Sequence, residues 1–242
     1  MTPPTAIAVV IPAHNEEGLI GACLGAMRHA IAAAAPLATR FSVHVSLDHC
    51  SDRTRSLALA AGVQVTATAG RGVGAARAAG VEAALAHHAA VPLRRLWVAH
   101  TDADSVVPEN WLTHQWHLAA AGADVVVGTV RPDFRDLSPE QNDAWWQTHV
   151  PGTANGHVHG ANLGTRATTL VGAGGFEPVT EHEDVLLVAE ARSRGANLVA
   201  SDEAWVQTSG RSVGRTAGGY AGYLREQLIP LARARTALAP TA

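Results

Sequence analysis

Four short stretches carry residue types at spacings that can do chemistry. Asp102-Ala103-Asp104 sets two carboxylates two residues apart, directly after the apolar run Leu96 to His100. At a strand end such a pair can share a divalent cation; magnesium and manganese favour oxygen ligands and keep substrate phosphates in their shell. The same pair also reads as an acidic, solvated turn. Ser46 to Thr54 puts Asp48 at a second strand end, where its carboxylate can accept a hydrogen bond from a nucleobase N–H, while Ser51 or Asp52 suits the cap of a following helix. Gly70-Arg71-Gly72-Val73-Gly74-Ala75-Ala76-Arg77 is a turn that can bring Arg71 and Arg77 to phosphate oxygens, or simply a tight turn with two solvated arginines. It is no dinucleotide fingerprint, because the place for the acidic residue about 20 positions on is alanine-rich around Ala89, and no Gly-Lys-Ser/Thr follows. Glu181-His182-Glu183-Asp184 opens an apolar helix. Acids suit a helix N-terminus through its dipole, yet three in four residues exceed that need, and Gly174-Gly175-Phe176 upstream allows a fold back toward the sheet.

The elements that must position these residues follow from periodicity. Ile7 to Ile11 is a continuous β-branched run, as a buried parallel strand would be. Asn15 with Glu16 and Glu17 predicts a helix from about Glu16 to Ala35. Strands are expected at Phe41 to Leu47, Val63 to Ala67 and Leu96 to His100, with helices from Ser51 or Asp52 to Ala61 and from Ala75 to Ala89. Strands separated by such helices imply βαβ units and a mainly parallel sheet, with ligands at the carboxyl ends of the strands. The polar clusters lie at those ends. Beyond them, a helix is expected at Trp111 to Ala121 and a strand at Asp124 to Val130. Arg131 to Asn155, polar with scattered aromatics, reads as a mobile excursion suited to a substrate loop. A helix at His182 to Ser193, a strand at Asn197 to Ala200 and a basic peripheral helix at Tyr220 to Ala237 complete the chain.

Composition bounds the function. The 242 residues fit one α/β domain, with residues 1–104 as a nucleotide-binding half and 105–242 as an acceptor-side half ending in a helix. A net charge of −3 gives no basic field for nucleic acid or an anionic membrane. No stretch approaches the roughly 20 apolar residues of a transmembrane helix, and no charged leader precedes the first strand. Cys23 and Cys50 form neither a disulfide framework nor a metal pattern, which suits a reducing, cytoplasmic setting.

In order and spacing the motifs resemble family 2 glycosyltransferases of the GT-A fold. The matching text is Val9 to Glu17, Asp48 with Ser51 to Thr54, Gly72 to Arg77, Thr101 to Asp104, Gly160 to Gly164, Gly174 to Phe176, and Glu183-Asp184, spanning about residues 7 to 200. The resemblance implies a nucleotide-diphosphate sugar donor of UDP or GDP type and a divalent cation, Mn2+ or Mg2+. It implies that Pro12, Ala13, Asn15, Glu16 and Asp48 hold the nucleoside, and that Gly70, Arg71 and Arg77 approach the diphosphate. Asp102 and Ala103 would face the ribose and metal shell, with Asp104 as the metal ligand. Gly160, Ala161, Asn162 and Glu183 would line the sugar and acceptor side. Asp184 would be the general base of a single, inverting displacement, because a hydroxyl near neutral pH is a poor nucleophile. Many relatives supply a late histidine to the metal. The last histidine here is His182, so Asp104 stands alone or is joined by Thr208 or Ser209. The acceptor is left open, and a homodimer is allowed. Two rival readings are a sugar-phosphate nucleotidyltransferase, disfavoured by Pro12 to Glu16 where a basic glycine loop belongs, and a non-catalytic nucleotide-sugar-binding subunit.

Overall fold

The structure, a computed structural model, describes residues 2–70, 72–214 and 218–238. Along the chain run β1 (Ala6–Ala13), α1 (Ile20–Ala34), β2 (Arg40–Asp48), α2 (Thr54–Ala60), β3 (Gln64–Thr68), α3 (Val73–His87) and β4 (Leu96–His100). Then come β5 (Ser105–Val106), α4 (Trp111–Ala120), β6 (Val125–Pro132), α5 (Pro139–Thr148), β7 (Leu163–Arg166), α6 (Ala167–Gly172), α7 (Glu183–Ser193) and β8 (Leu198–Thr208). The last segment is α8 (Tyr220–Gly222), a π-helical turn at Tyr223–Gln227, and α9 (Leu228–Leu238). The strands form one sheet in the order β3-β2-β1-β4-β7-β6-β8-β5. β3, β2, β1 and β4 are mutually parallel, and β7 is antiparallel to both of its neighbours. This is an α/β single-domain fold with a mostly parallel sheet flanked by helices.

The pleat of β1 divides the core. Ile7, Val9 and Ile11 point to the layer of α1 and α4, among Met27, Trp97 and Trp111. Ala6, Ala8 and Val10 point to the layer of α3, α6 and α7, among Val81, Leu170 and Leu187. Both faces of the strand are covered, which is why its sequence is apolar without alternation. The carboxyl ends of β1, β2 and β4 therefore emerge together, each at its own motif.

Several elements differ from the sequence reading. α1 begins at Ile20 and not at Glu16, because Asn15 adopts a left-handed φ of 50° and its side-chain oxygen accepts a hydrogen bond from Ser51 N at 2.8 Å. Asn15 thus pins the loop after β2 and does not cap a helix. Asp52 accepts from Thr54 N and Glu17 N at 2.9 Å each, so it orders both loops. β8 runs to Thr208 and not to Ala200, carried past Val199 by pairing with β6. The stretch 131–155 contains a regular helix, α5. It opens with a capping box of Ser138 and Gln141 and packs Trp145 against Leu224 and Leu228 of the last helices.

Asn162, expected on the sugar side, is instead a core residue, 2% exposed. Its Oδ1 accepts from Trp111 Nε1 at 2.8 Å, and its Nδ2 donates to the carbonyls of Thr129 and Ala204 at 2.9 Å each. The register shift between Gly128 and Val130 frees the Thr129 carbonyl for this bond. A side chain at Gly128 would lie 2.2 Å from the same amide, so that position admits only glycine. Asn162→Ala strands three buried polar groups, each worth about 1–3 kcal/mol when unsatisfied. Urea denaturation is expected to show a loss of about 3 kcal/mol or more; a loss below about 1 kcal/mol would show that the amide is not a structural joint.

Candidate active site

A cleft of about 1330 Å³ lies over the carboxyl ends of β1, β2 and β4. Pro12, Ala13, Glu16 and Asp48 line one end, and Asp102, Ala103 and Asp104 its floor. Gly160, Ala161, Glu183 and Asp184 line the other side. Asp48 is fixed from two directions: Thr68 Oγ1 donates to its Oδ1 at 2.7 Å, and Gly72 N donates to Oδ2 at 3.1 Å. Asn15 and Gly70, expected to bind the nucleotide, are not among the residues that line the cleft. Arg71 lies outside the described residues.

Arg77 is placed differently from the sequence reading. Its side chain, 2% exposed, does not reach out toward a phosphate. Nη2 donates to Asp102 Oδ1 at 2.5 Å, Nε to Glu183 Oε1 at 2.8 Å and Nη1 to the Gly160 carbonyl at 3.1 Å. The guanidinium also lies 5.8 Å from the centroid of Phe176, which the Gly174-Gly175 turn brings into the core. A Cβ on Gly160 would fall 2.3 Å from Arg77 Nη2, so the contact requires glycine. The Gly160 N–H in turn donates to Asp184 Oδ2 at 2.5 Å, and Val185 N to Asp184 Oδ1 at 2.8 Å. One residue, Gly160, thus links the anchor of Asp102 and Glu183, through its carbonyl, to the carboxylate of Asp184, through its N–H. Burial raises the Glu183 carboxyl above its ordinary range against the pull of Arg77.

Arg211, unforeseen in the sequence, supplies the second cation. Its Nη1 bonds Glu16 Oε1 at 3.0 Å, and its Nη2 meets Asp104 Oδ2 at 2.7 Å. Burial, then the neighbouring Asp102, push the Asp104 carboxyl up to about 6, with Arg211 opposing. Thr208 Oγ1 stands 3.4 Å from Asp104 Oδ1, and the Asp104 carbonyl accepts from Ser209 N. The donor set suits a hard divalent cation: carboxylate oxygens on Asp102 and Asp104, in a pocket where carboxylates crowd one another. Among the described residues no three or more His, Cys, Asp or Glu side chains converge on one point. Phosphate oxygens and water would complete the shell, as magnesium and manganese permit.

Among the described residues, three other than glycine hold a positive φ: Asn15, His49 and His182 at 50°, 52° and 63°. They sit in the loop after β1, the loop after β2 and the start of α7. Such conformations cost energy and gather at functional sites; Asn and His tolerate them better than most. On the Asp184 side, α5 and the last helices add an aromatic wall. His149 stacks on Trp145 with centroids 4.0 Å apart, and His159 meets Tyr220 edge-on at 5.9 Å. Asp202 ties this wall to the sheet, bonding Arg131 Nη2 at 3.0 Å and Gly152 N at 2.7 Å.

A family model described as Glycosyl transferase family 2 matches residues 8–172. No curated protein matches. Among solved structures, S. aureus TarS 1–349 in complex with UDP-GlcNAc has a TM-score of 0.63 at 15% identity, covering 98% of this chain and 68% of that one. The mannosyltransferase PcManGT from Pyrobaculum calidifontis, in complex with GDP-Man and Mn2+, has a TM-score of 0.61 at 20% identity, covering 100% and 68%. Glucosyl-3-phosphoglycerate synthase from Mycobacterium tuberculosis, in complex with phosphoglyceric acid, has 0.53 at 18% identity, covering 98% and 82%. At these identities the likeness shows the fold.

Histidines whose pKa burial lowers, among them His44, His100 and His159, are expected to make the molecule acid-sensitive. Burial first, then His157 and His149, lower His159 to about 4. Burial first, then His87 and His88, lower His44 likewise to about 4. The folded state refuses protons that the unfolded chain accepts below about 6.5, so the stability held by these groups is lost as pH falls from about 6.5 to 4. The urea midpoint is expected to drop across that window, and His44→Gln to reduce the slope. An unchanged slope in the variant would remove His44 from this role.

Proposed function

The chain belongs to glycosyl transferase family 2 and is a glycosyltransferase, and we propose that it moves a sugar from a nucleoside diphosphate to an acceptor hydroxyl by one inverting displacement. The observation that carries this reading is the bond from Gly160 N to Asp184, made by the residue whose carbonyl holds Arg77 and, through it, Asp102. It ties the Asp184 carboxylate to the same cluster as the strand-end acid Asp102. Such a cluster can hold a base on one side of a sugar and a charge-bearing site on the other.

Donor binding falls to the β1 and β2 ends. Asp48, held by Thr68 and Gly72, keeps acceptor capacity for a nucleobase N–H, since a carboxylate offers about four lone-pair sites. TarS with UDP-GlcNAc and PcManGT with GDP-Man support a nucleotide-sugar donor of either base. Asp104, with Asp102, would hold a divalent cation; PcManGT carries Mn2+. When bound, that cation offsets charge on the departing diphosphate. Arg211 would then exchange its carboxylate partners for phosphate oxygens. Asp184 takes the proton from the acceptor hydroxyl as it attacks the anomeric carbon on the face opposite the diphosphate. The two backbone N–H groups on Asp184 orient both oxygens and leave lone pairs toward the cleft. Glu183, locked to Arg77, holds the start of α7 and does not serve as the base. The donor half of this reading is residues 1–104 and the acceptor half 105–242.

Asp184→Asn is expected to lower turnover at least about a hundredfold, the lower range of general-base catalysis, with donor affinity unchanged. Asn keeps a side-chain oxygen for the Gly160 N–H and loses only a charge in the first turn of α7, so stability should fall by no more than about 0.3–1 kcal/mol. Asp104→Asn should instead abolish the manganese-dependent part of nucleotide affinity in calorimetry. If Asp184→Asn retains its rate while Glu183→Gln loses it, the base is Glu183. If neither changes the rate, the displacement has no base in this motif.

A further inference from the structure

We infer that the acceptor is an amphiphile whose hydroxyl meets Asp184 and whose apolar arm lies along the face of the last helices. The inference rests on the reading of Asp184 as the acceptor-side base, and extends it from the walls of the cleft beyond that residue.

The cleft, at about 1330 Å³, exceeds the roughly 300–1,000 Å³ of a typical small-ligand pocket, so it has room for more than a donor. Its outer wall is one helical stripe. Tyr220, Tyr223, Gln227 and Leu231 recur three and four residues apart, share a face and all line the cleft. At 1.5 Å per residue the stripe is about 16 Å long. Tyr220 and Tyr223 stack at 5.8 Å, giving that face a rigid aromatic start. Across from it, Val150 and Pro151 follow α5. Val150 is 64% exposed, Leu231 47% and Val185, adjacent to the base, 42%. Large apolar side chains left open around one cleft mark a surface that binds apolar matter.

Charge points the same way. Arg77, Arg131 and Arg211 line the cleft, and each is already paired: with Asp102 and Glu183, with Asp202, and with Glu16 and Asp104. Arg192 also lines it, but stands eight residues along α7 from Asp184, about 12 Å away along the helix axis. His159, lowered by burial, is neutral at pH 7. Among the described residues, the arginines nearest the strand ends are thus already engaged by carboxylates. An alkyl or ring-bearing alcohol would meet tyrosine, valine and leucine.

The test uses methyl, hexyl and octyl β-glucoside as probes, below their micellar concentrations, titrated calorimetrically into the full chain with nucleoside diphosphate and manganese present. Burial of a methylene is worth about fourfold in affinity, so even partial burial should make octyl bind at least about tenfold tighter than methyl. Leu231→Asp and Val150→Asp, at exposed positions, should each cut that increment and leave nucleotide affinity unchanged. Equal affinities along the series would overturn the inference. So would an increment that survives both substitutions, or phosphoglycerate displacing octyl glucoside at lower concentration. UDP and GDP binding, read in the same titrations, separates the two readings: its failure counts against sugar transfer, whereas its retention with a flat alkyl series counts against the amphiphile alone.

Discussion

A guanidinium with 2% of its surface exposed organises this molecule. Taking a charge out of water costs several kcal/mol, and only well-formed pairing offsets it. Arg77 has that pairing: two carboxylates, one carbonyl and the ring of Phe176. Its partners come from three places in the chain, the end of β4, the turn before β7 and the start of α7. β4 and β7 are already paired in the sheet, and the ion cluster ties the start of α7 to both. Asp184 inherits its position from that arrangement through Gly160.

The cleft as a whole is a balance of carboxylates and arginines. Glu16, Asp102, Asp104, Glu183 and Asp202 face Arg77, Arg131 and Arg211. The two arginines near the strand ends differ in kind. Arg77 is enclosed and bonded on every side, whereas Arg211 is one-third exposed and grips two acids that the donor's diphosphate and its cation would engage. The Asp104 carboxyl is raised by burial first and by Asp102 second, with Arg211 opposing, so a cation brought beside it would favour its charged form. Binding a divalent ion with a diphosphate would redistribute these partners without moving Arg77.

Much of this was legible in the residues. β1, β2 and β4 were visible because strands buried on both faces are written as unbroken apolar runs, and their ends coincide with Asp48 and Asp102. The family motifs could be read in order, and the fold followed. β7 was not visible: Leu-Gly-Thr-Arg is four residues long and owes its strand conformation to β4 and β6 on either side. α5 was missed although its Ser-Pro-Glu-Gln opening is a helix start, because its apolar face is satisfied by a helix some 80 residues later. Arg77 read as a phosphate contact or, failing that, a solvated side chain; its partners are 25, 83 and 106 residues away and leave no local trace. Asn162 looked like a ligand-binding amide because a buried structural amide and a functional one are the same letter. Arg211 follows no periodicity at all.

The most direct measurement is a double-mutant cycle on the buried pair. Unfolding free energies are needed for the wild type, Arg77→Met, Glu183→Leu and the double variant. Arg77→Met leaves Glu183 buried without its cation, at about 3–5 kcal/mol, whereas Glu183→Leu leaves Arg77 its bonds to Asp102 and Gly160 and should cost less. The double variant removes that penalty, so the pair should couple by about 2 kcal/mol or more, near the upper end of interaction energies between contacting residues. If the two losses simply add, Arg77 is not the joint between the two sides of the cleft.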